Sequence, residues 1–230
     1  MRLPGWAFAL GLFGALAGAC DGTVSVTFMT GRQDLELSTG ALALPTELRD
    51  GDRVASVSCG PSGVCPPSDL VTLSCEAGTC DPAPKTLAYP IAGVFDVDAV
   101  APELDSIASR VVSYDIEELQ YDVLLNTLTV GTGPVEIFWG PEAAVAIDES
   151  QGVVLLGTMP AIRASETSRG EVAIDPQGML ALSDHLVSRS RRFRLFARTV
   201  VDLDPGDPFP EGLVRMTVNA KITVVGSIVR

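Results

Sequence analysis

Polar and apolar residues alternate with a period of two along most of this chain, and that period marks strands with one face buried. In "TVSVTFM", Thr23–Met29, Val24, Val26 and Phe28 share one face, and Thr23, Ser25 and Thr27 share the other. Towards the other end, Val214, Met216, Val218, Ala220, Ile222 and Val224 alternate with Arg215, Thr217, Asn219, Lys221 and Thr223. Before that run, Phe193, Leu195, Ala197, Thr199, Val201 and Leu203 alternate with Arg192, Arg194, Phe196, Arg198, Val200 and Asp202. The Pro- and Gly-rich "DPGDPFPEG" joins the two runs, so they are expected to pair as one long antiparallel hairpin.

Further strands are expected over residues 87–97, 114–130, 135–139 and 153–159. Within 114–130, Ile116 is out of step with Leu119, Tyr121, Val123 and Leu125, which places a bulge at Glu117 and Glu118. Helical spacing occurs in two stretches. One is 100–109, with Leu104, Ile107 and Ala108 after Pro102; the other is Pro176–Ser188, with Met179, Leu180, Leu182, Leu186 and Val187 on one stripe. About eight strands, turn signals between them and two minor helices predict an all-β fold, an antiparallel β-sandwich that is Ig-like or related. No repeat of fixed period and no long linker divides the chain, so 20–230 is expected to form a single domain.

Composition agrees with a folded core and narrows the partners. At 230 residues and 47% hydrophobic, the chain has material for one full core. Lys and Arg number 16 against 29 Asp and Glu, a formal charge of -13, so the summed field repels phosphate backbones and no nucleic-acid partner is expected. There is a single histidine, His185, on which any His-based metal site or Ser-His or Cys-His pair would depend.

The opening "MRLPGWAFALGLFGALAGAC" has a different character. Arg2 precedes an apolar run over 3–16, and the small residues Ala17, Gly18 and Ala19 follow, so residues 1–19 read as a signal peptide. A spanning helix needs about 20 apolar residues, and this run is shorter and interrupted by Pro4, Gly5, Gly11, Gly14 and Gly18. Leu16, Ala17, Gly18, Ala19 and Cys20 resemble the lipobox of bacterial lipoproteins, with Leu four places before the Cys and Ala at the third place, where Leu is commoner. The resemblance covers the first 20 residues. It implies lipidation of Cys20 and a membrane anchor in the cell envelope, with more than one acyl chain making attachment firm. Asp21 follows at once, which in some enteric lineages marks retention at the inner membrane; the choice of membrane stays open.

Export changes the meaning of the remaining cysteines. Cys59, Cys65, Cys75 and Cys80 lie close together in a Cys-rich insertion at about 57–85, and in an oxidising compartment they read as two disulfides. The spacings C-x5-C, x9 and C-x4-C do not form the paired knuckles of a zinc site, and no C-x-x-C redox motif is present. Of the three possible connectivities, the local bridges Cys59–Cys65 and Cys75–Cys80 are favoured by the Gly and Pro between them.

Other constellations carry candidate chemistry, each with a plainer alternative. Asp202, Asp204, Asp207 and Glu211 would supply oxygen ligands to calcium, although acidic residues beside Pro and Gly are also ordinary turn formers. The basic run 189–194 and Arg198 would hold a phosphate, a carboxylate or an acidic partner, or form a solvated strand face near a helix C-terminus. His185 beside Ser183 and Asp184 does not make a triad, since neighbours on a helix point apart, and a surface or capping role is expected. Phe138 and Trp139 should face opposite sides of a strand, leaving one of them for a binding surface unless both pack in cores. No phosphate loop, G-x-S-x-G elbow or H-E-x-x-H occurs.

The function expected is that of a membrane-tethered lipoprotein with a non-catalytic binding or structural module, meeting another envelope protein or polymer. No catalytic residue, cofactor or metal is assigned. One alternative is a carrier of a small apolar or lipid ligand inside the sandwich. The other is a hydrolase using paired carboxylates such as Glu117 and Glu118.

Overall fold

The computed structural model describes residues 23–42, 48–67, 71–102, 110–188 and 190–227. Cys20 and the signal-like run therefore lie outside the described residues, as do Arg189 and most of the helix expected over 100–109. The first strands are β1 (Thr23–Met29) and β2 (Gln33–Ser38). A small module follows, with β3 (Arg49–Asp50), β4 (Arg53–Val54), β5 (Val57–Ser58), β6 (Leu73–Glu76) and β7 (Thr79–Pro82). Next come β8 (Lys85–Asp96), a one-turn helix α1 (Val97–Val100), β9 (Arg110–Asn126), β10 (Val135–Pro141), β11 (Val154–Met159), β12 (Arg169–Glu171) and β13 (Ala173–Ile174). The chain then forms α2 (Pro176–Ser188), β14 (Arg192–Val201) and β15 (Leu213–Ser227).

These strands make an antiparallel β-sandwich, as the alternation predicts. In the first sheet β15 is central: β1 and β2 lie end to end along one side of it and β9 along the other, with β12 beyond. The second sheet runs β13-β11-β10-β14-β8. Val214, Met216, Val218, Ala220, Ile222 and Val224 are all buried against Ile91, Ile137, Trp139, Leu156 and Leu195 of the facing sheet. The expected bulge is present, because Lys221 pairs with Glu118 and Ile222 with Ile116, which leaves Glu117 without a partner in the register.

The expected β14–β15 hairpin is not formed. β14 pairs with β10 and β8, β15 pairs with β1, β2 and β9, and residues 202–212 cross from one sheet to the other. Strands facing each other across a core show the same alternation as strands paired within a sheet, so period alone did not separate the two arrangements. Outward Phe196 is not wet either. It packs with Phe138, Ala144 and Val153 in a small cluster on the outer face of the second sheet.

Strand directions give the sandwich two distinct ends. Val201 and Leu213 lie at one end, where β2 departs into the module and β8 returns from it, and Tyr89 of β8 donates to the Ser38 carbonyl of β2 at 2.6 Å. Val54, Leu87, Val130, Val201 and Leu203 form a second small core there. At the opposite end Asp96 is in register with Arg192, and Arg110 with Ser227. The β10–β11 connection, residues 142–153, also lies there, since Pro141 is in register with Phe193.

Helix α2 starts where the sequence places it, and the cause is local. Asp175 accepts the Gly178 N–H at 2.8 Å, satisfying a donor of the first turn. The helix lies along β9 and β11, and its side chains take up strand donors: Ser183 Oγ accepts the Tyr114 N–H at 3.0 Å, and Met179 Sδ lies 3.4 Å from the Ile116 nitrogen. Met179, Leu182 and Leu186 are buried as expected, whereas Leu180 and Val187 are exposed, on the side of the helix turned from the sheets.

Candidate functional site

The module is held by disulfides Cys59–Cys75 and Cys65–Cys80, with Cα separations of 5.9 and 5.6 Å. Two disulfides were expected, but the favoured local pairing is replaced by one that ties distant segments. The β5–β7 pairing explains it: Val57 sits opposite Cys80, and the Cys59 N–H donates to the Gly78 carbonyl at 3.0 Å, so Cys59 lies beside the β6–β7 turn. That turn needs no bridge, because Ala77 and Gly78 close it with φ of 48° and 87°, the left-handed pair of a tight hairpin. Residues 60–64 are likewise closed by backbone bonds, Gly60 N–H to Val64 O at 3.0 Å and Gly63 N–H to Gly60 O at 2.8 Å. Cross-links spanning 16 and 15 residues restrict the unfolded chain by about 3 kcal/mol each, about 1 kcal/mol more than the local bridges would. The bridges lie side by side, with Cys59 and Cys80 Sγ atoms 4.0 Å apart. Among the described residues, Cys59, Cys65 and Cys80 are the one group of His, Cys, Asp or Glu with ligand atoms all within 4.8 Å of one another, and these sulfurs are consumed in disulfides.

The module docks on the 202–212 crossover. Val54 N–H donates to Asp207 O and Gly206 N–H to Val54 O, both at 2.8 Å, and Arg49 pairs with Glu211 at 2.7 Å while resting over the Phe209 ring. This docking divides the four acidic residues that were candidates for calcium. Asp207 accepts the Asp204 N–H at 2.9 Å as a turn residue, and Glu211 is committed to Arg49. What the fold adds is Asp81 of β7. Its Oδ1 is buried without a hydrogen-bond partner, and burial, with the charges of Asp204, Glu76 and Asp202 added, raises its carboxyl above the usual carboxylate value. No sequence pattern links Asp81 to the crossover; the module's pairing brings it there.

The basic run lies at the opposite end, where its described members meet acids. Arg191 bridges Asp98 at 2.7 Å, Arg192 bridges Asp96 at 3.3 Å and Glu142 at 2.8 Å, and Arg194 donates to the Glu142 carbonyl at 2.8 Å. Arg198 pairs with Glu136 at 2.7 Å and covers the Phe138 ring. Phe138 and Trp139 do face opposite sides of β10, but each is buried in a core of its own.

His185 is buried, not a surface or capping residue. Its Nε2 lies 3.2 Å from the Arg192 carbonyl oxygen and its ring packs 5.3 Å from the Trp139 ring, while the Trp139 indole N–H donates to Gly178 O at 3.0 Å. Ser183 faces Tyr114, and Asp184 is exposed, so neither joins His185.

Glu117 and Glu118 stand on the outer face of the first sheet around one cation. Lys221 Nζ lies 2.6 Å from Glu117 and 3.5 Å from Glu118, and Thr223 donates to Glu117 at 2.6 Å. Hydrogen bonds from Lys221 and Thr223 hold Glu117 below its usual pKa, and the same pairing raises Lys221. A carboxylate kept ionised by a lysine on an open face is poorly suited to donate a proton to a leaving group. Between the sheets, one apolar cavity of about 20 Å³ is lined by Phe95, Ile116, Leu156 and Val218, and another of about 10 Å³ by Leu37, Leu87 and Leu128. Each has room for about one water, far below the several hundred Å³ of a small-molecule site.

The chain matches no protein-family model and no curated protein. Among solved structures it is similar to a chain of mud crab tombus-like virus, at 8% identity and a TM-score of 0.31, over 100% of this chain and 92% of that one. It is also similar to chains of Desmodium yellow mottle tymovirus (10% identity, TM-score 0.29, 74% of this chain and 97% of that one) and turnip yellow mosaic virus (11%, 0.26, 78% and 93%). Likenesses this distant bear no weight on function.

Proposed function

We propose that the chain is a cell-envelope lipoprotein, tethered to a bacterial membrane through acylated Cys20, whose β-sandwich holds or binds another envelope protein or polymer without catalysing a reaction. The observation that carries this reading is "LAGAC", small residues after an apolar run and before a cysteine. The cysteine count supports it. Of five cysteines, four are paired in the module, and Cys20 is left over for a different role. Two side-by-side disulfides also suit an oxidising compartment. Cells expressing wild type or Cys20→Ala and fed a fatty-acid analogue test it: label should enter the wild type and be absent from the variant. Label persisting in Cys20→Ala would refute the assignment.

A further inference from the structure

Resting on that lipid tether, we propose that the sandwich stands end-on, with the Arg192 and Ser227 end against the bilayer surface and the disulfide module at the far pole. Only Asp21 and Gly22 separate Cys20 from Thr23, and three Cα–Cα steps of about 3.8 Å reach at most about 11 Å. Thr23 is in register with Ser227, which puts one particular end of the first sheet within that reach. β15 runs from there through 15 residues to Leu213, about 45 Å along the strand, where the crossover and the module sit. The tether is thus much shorter than the domain it holds.

The two ends differ chemically in the sense this orientation requires. The module end gathers carboxylates, among them Asp50, Asp52, Asp81, Asp202, Asp204 and Asp207, and an anionic headgroup layer repels such a pole. At the tethered end Arg191, Arg192 and Arg194 stand among Asp96, Asp98 and Glu142, with Asp148 and Glu149 on the nearby connection, so this end is acidic but less so than the module end, where Arg49 and Arg53 are outnumbered more heavily. That end also carries Val145, 76% exposed on the β10–β11 connection, and Val112, 54% exposed near the start of β9. Apolar side chains at this level can enter the headgroup boundary, as interfacial anchors do. The bilayer surface therefore meets the 142–153 connection and the start of β9, and the module is offered outward.

Quenching by lipid tests this with the mature protein, acylated at Cys20 and lacking residues 1–19, in phosphatidylethanolamine–phosphatidylglycerol vesicles carrying a nitroxide near the headgroup. Two exposed valines report on the two poles, Val145→Trp on the tethered end and Val64→Trp on the module. Trp139 is buried and gives a common background. Val145→Trp should lose most of its added emission while Val64→Trp keeps it. Equal quenching, quenching of Val64→Trp alone, or quenching of neither overturns the orientation. Mass analysis of the N-terminal peptide separates the two proposals: acyl chains on Cys20 with the wrong pole quenched refute only the orientation, and an unmodified Cys20 refutes the tether.

Discussion

Gly178→Ala should destabilise the domain by about 3 kcal/mol, although in most helices the same change stabilises. Gly178 lies where α2 meets β11, and a Cβ built on it would lie 1.7 Å from the Leu155 carbonyl oxygen and 2.8 Å from the Leu155 carbonyl carbon. Both atoms are backbone in a paired strand, so the helix must retreat by more than about 1 Å, from an interior packed as densely as a crystal. Overpacking of this kind costs about 1–3 kcal/mol. The retreat also carries off the Gly178 carbonyl that accepts the Trp139 indole N–H at 3.0 Å, and an orphaned buried donor costs about 1–3 kcal/mol more. Against this stands a helix-propensity gain of about 1 kcal/mol. For a domain of this size the balance lowers Tm by about 6–12 °C. Equilibrium urea unfolding followed by far-ultraviolet circular dichroism measures it, and Trp139→Phe supplies the control. If the lost bond is part of the cost, Gly178→Ala should cost less in the Trp139→Phe background than in the wild type. A Gly178→Ala protein as stable as wild type, or more so, would show that α2 does not touch β11 as described.

Digestion of the non-reduced protein before aspartates and after Glu76 should yield one three-peptide species joining Cys59 and Cys65 to Cys75 and Cys80; local bridges would instead release the Cys59–Cys65 peptide on its own. Asp81→Asn should raise stability at neutral pH, since it removes a carboxylate whose ionised form the fold disfavours. The sign follows from the raised pKa: the native state holds the proton more tightly than the unfolded chain, so this group's penalty grows as pH rises through the window above the usual carboxylate value and vanishes in acid. Urea midpoints at pH 7 and at acid pH check it, and a gain that persists in acid would contradict the electrostatic cause. Arg198→Ala should expose the Phe138 ring and lower stability through lost packing, while Arg198→Met should restore most of the loss; equal losses in thermal melts would assign the effect to the Glu136 ion pair instead.

Alternation along a strand was legible because a half-buried sheet demands it, and β15 follows it except at Thr217, a residue of the expected wet face that is buried. Partner choice was not legible, because β14 and β15 bury the same period towards one core from opposite sides. The short strands β12 and β13 have too few residues to show a period. His185 was readable in principle: Gly178, Leu182 and His185 follow one another at helical spacing on the buried stripe. Its polarity argued for the surface, and only the Trp139 ring and the Arg192 carbonyl explain why it is accommodated inside. The cysteines showed that bridges form, but not between which partners. Connectivity depended on β5 lying beside β7, a contact that four residues of local pattern do not encode.

The position of β15 between β1 and β9 also sets an order in time. Thr27 and Thr223 hydrogen-bond across β1 and β15 although 196 residues separate them. During synthesis the first sheet lacks its central strand until residues 213–227 emerge, and until then β1 and β2 have no partner in that sheet and β9 has only the short β12. Such non-local closure folds slowly. The first sheet of a chain built this way stays open until nearly all of the chain has been made, which suits the export proposed above.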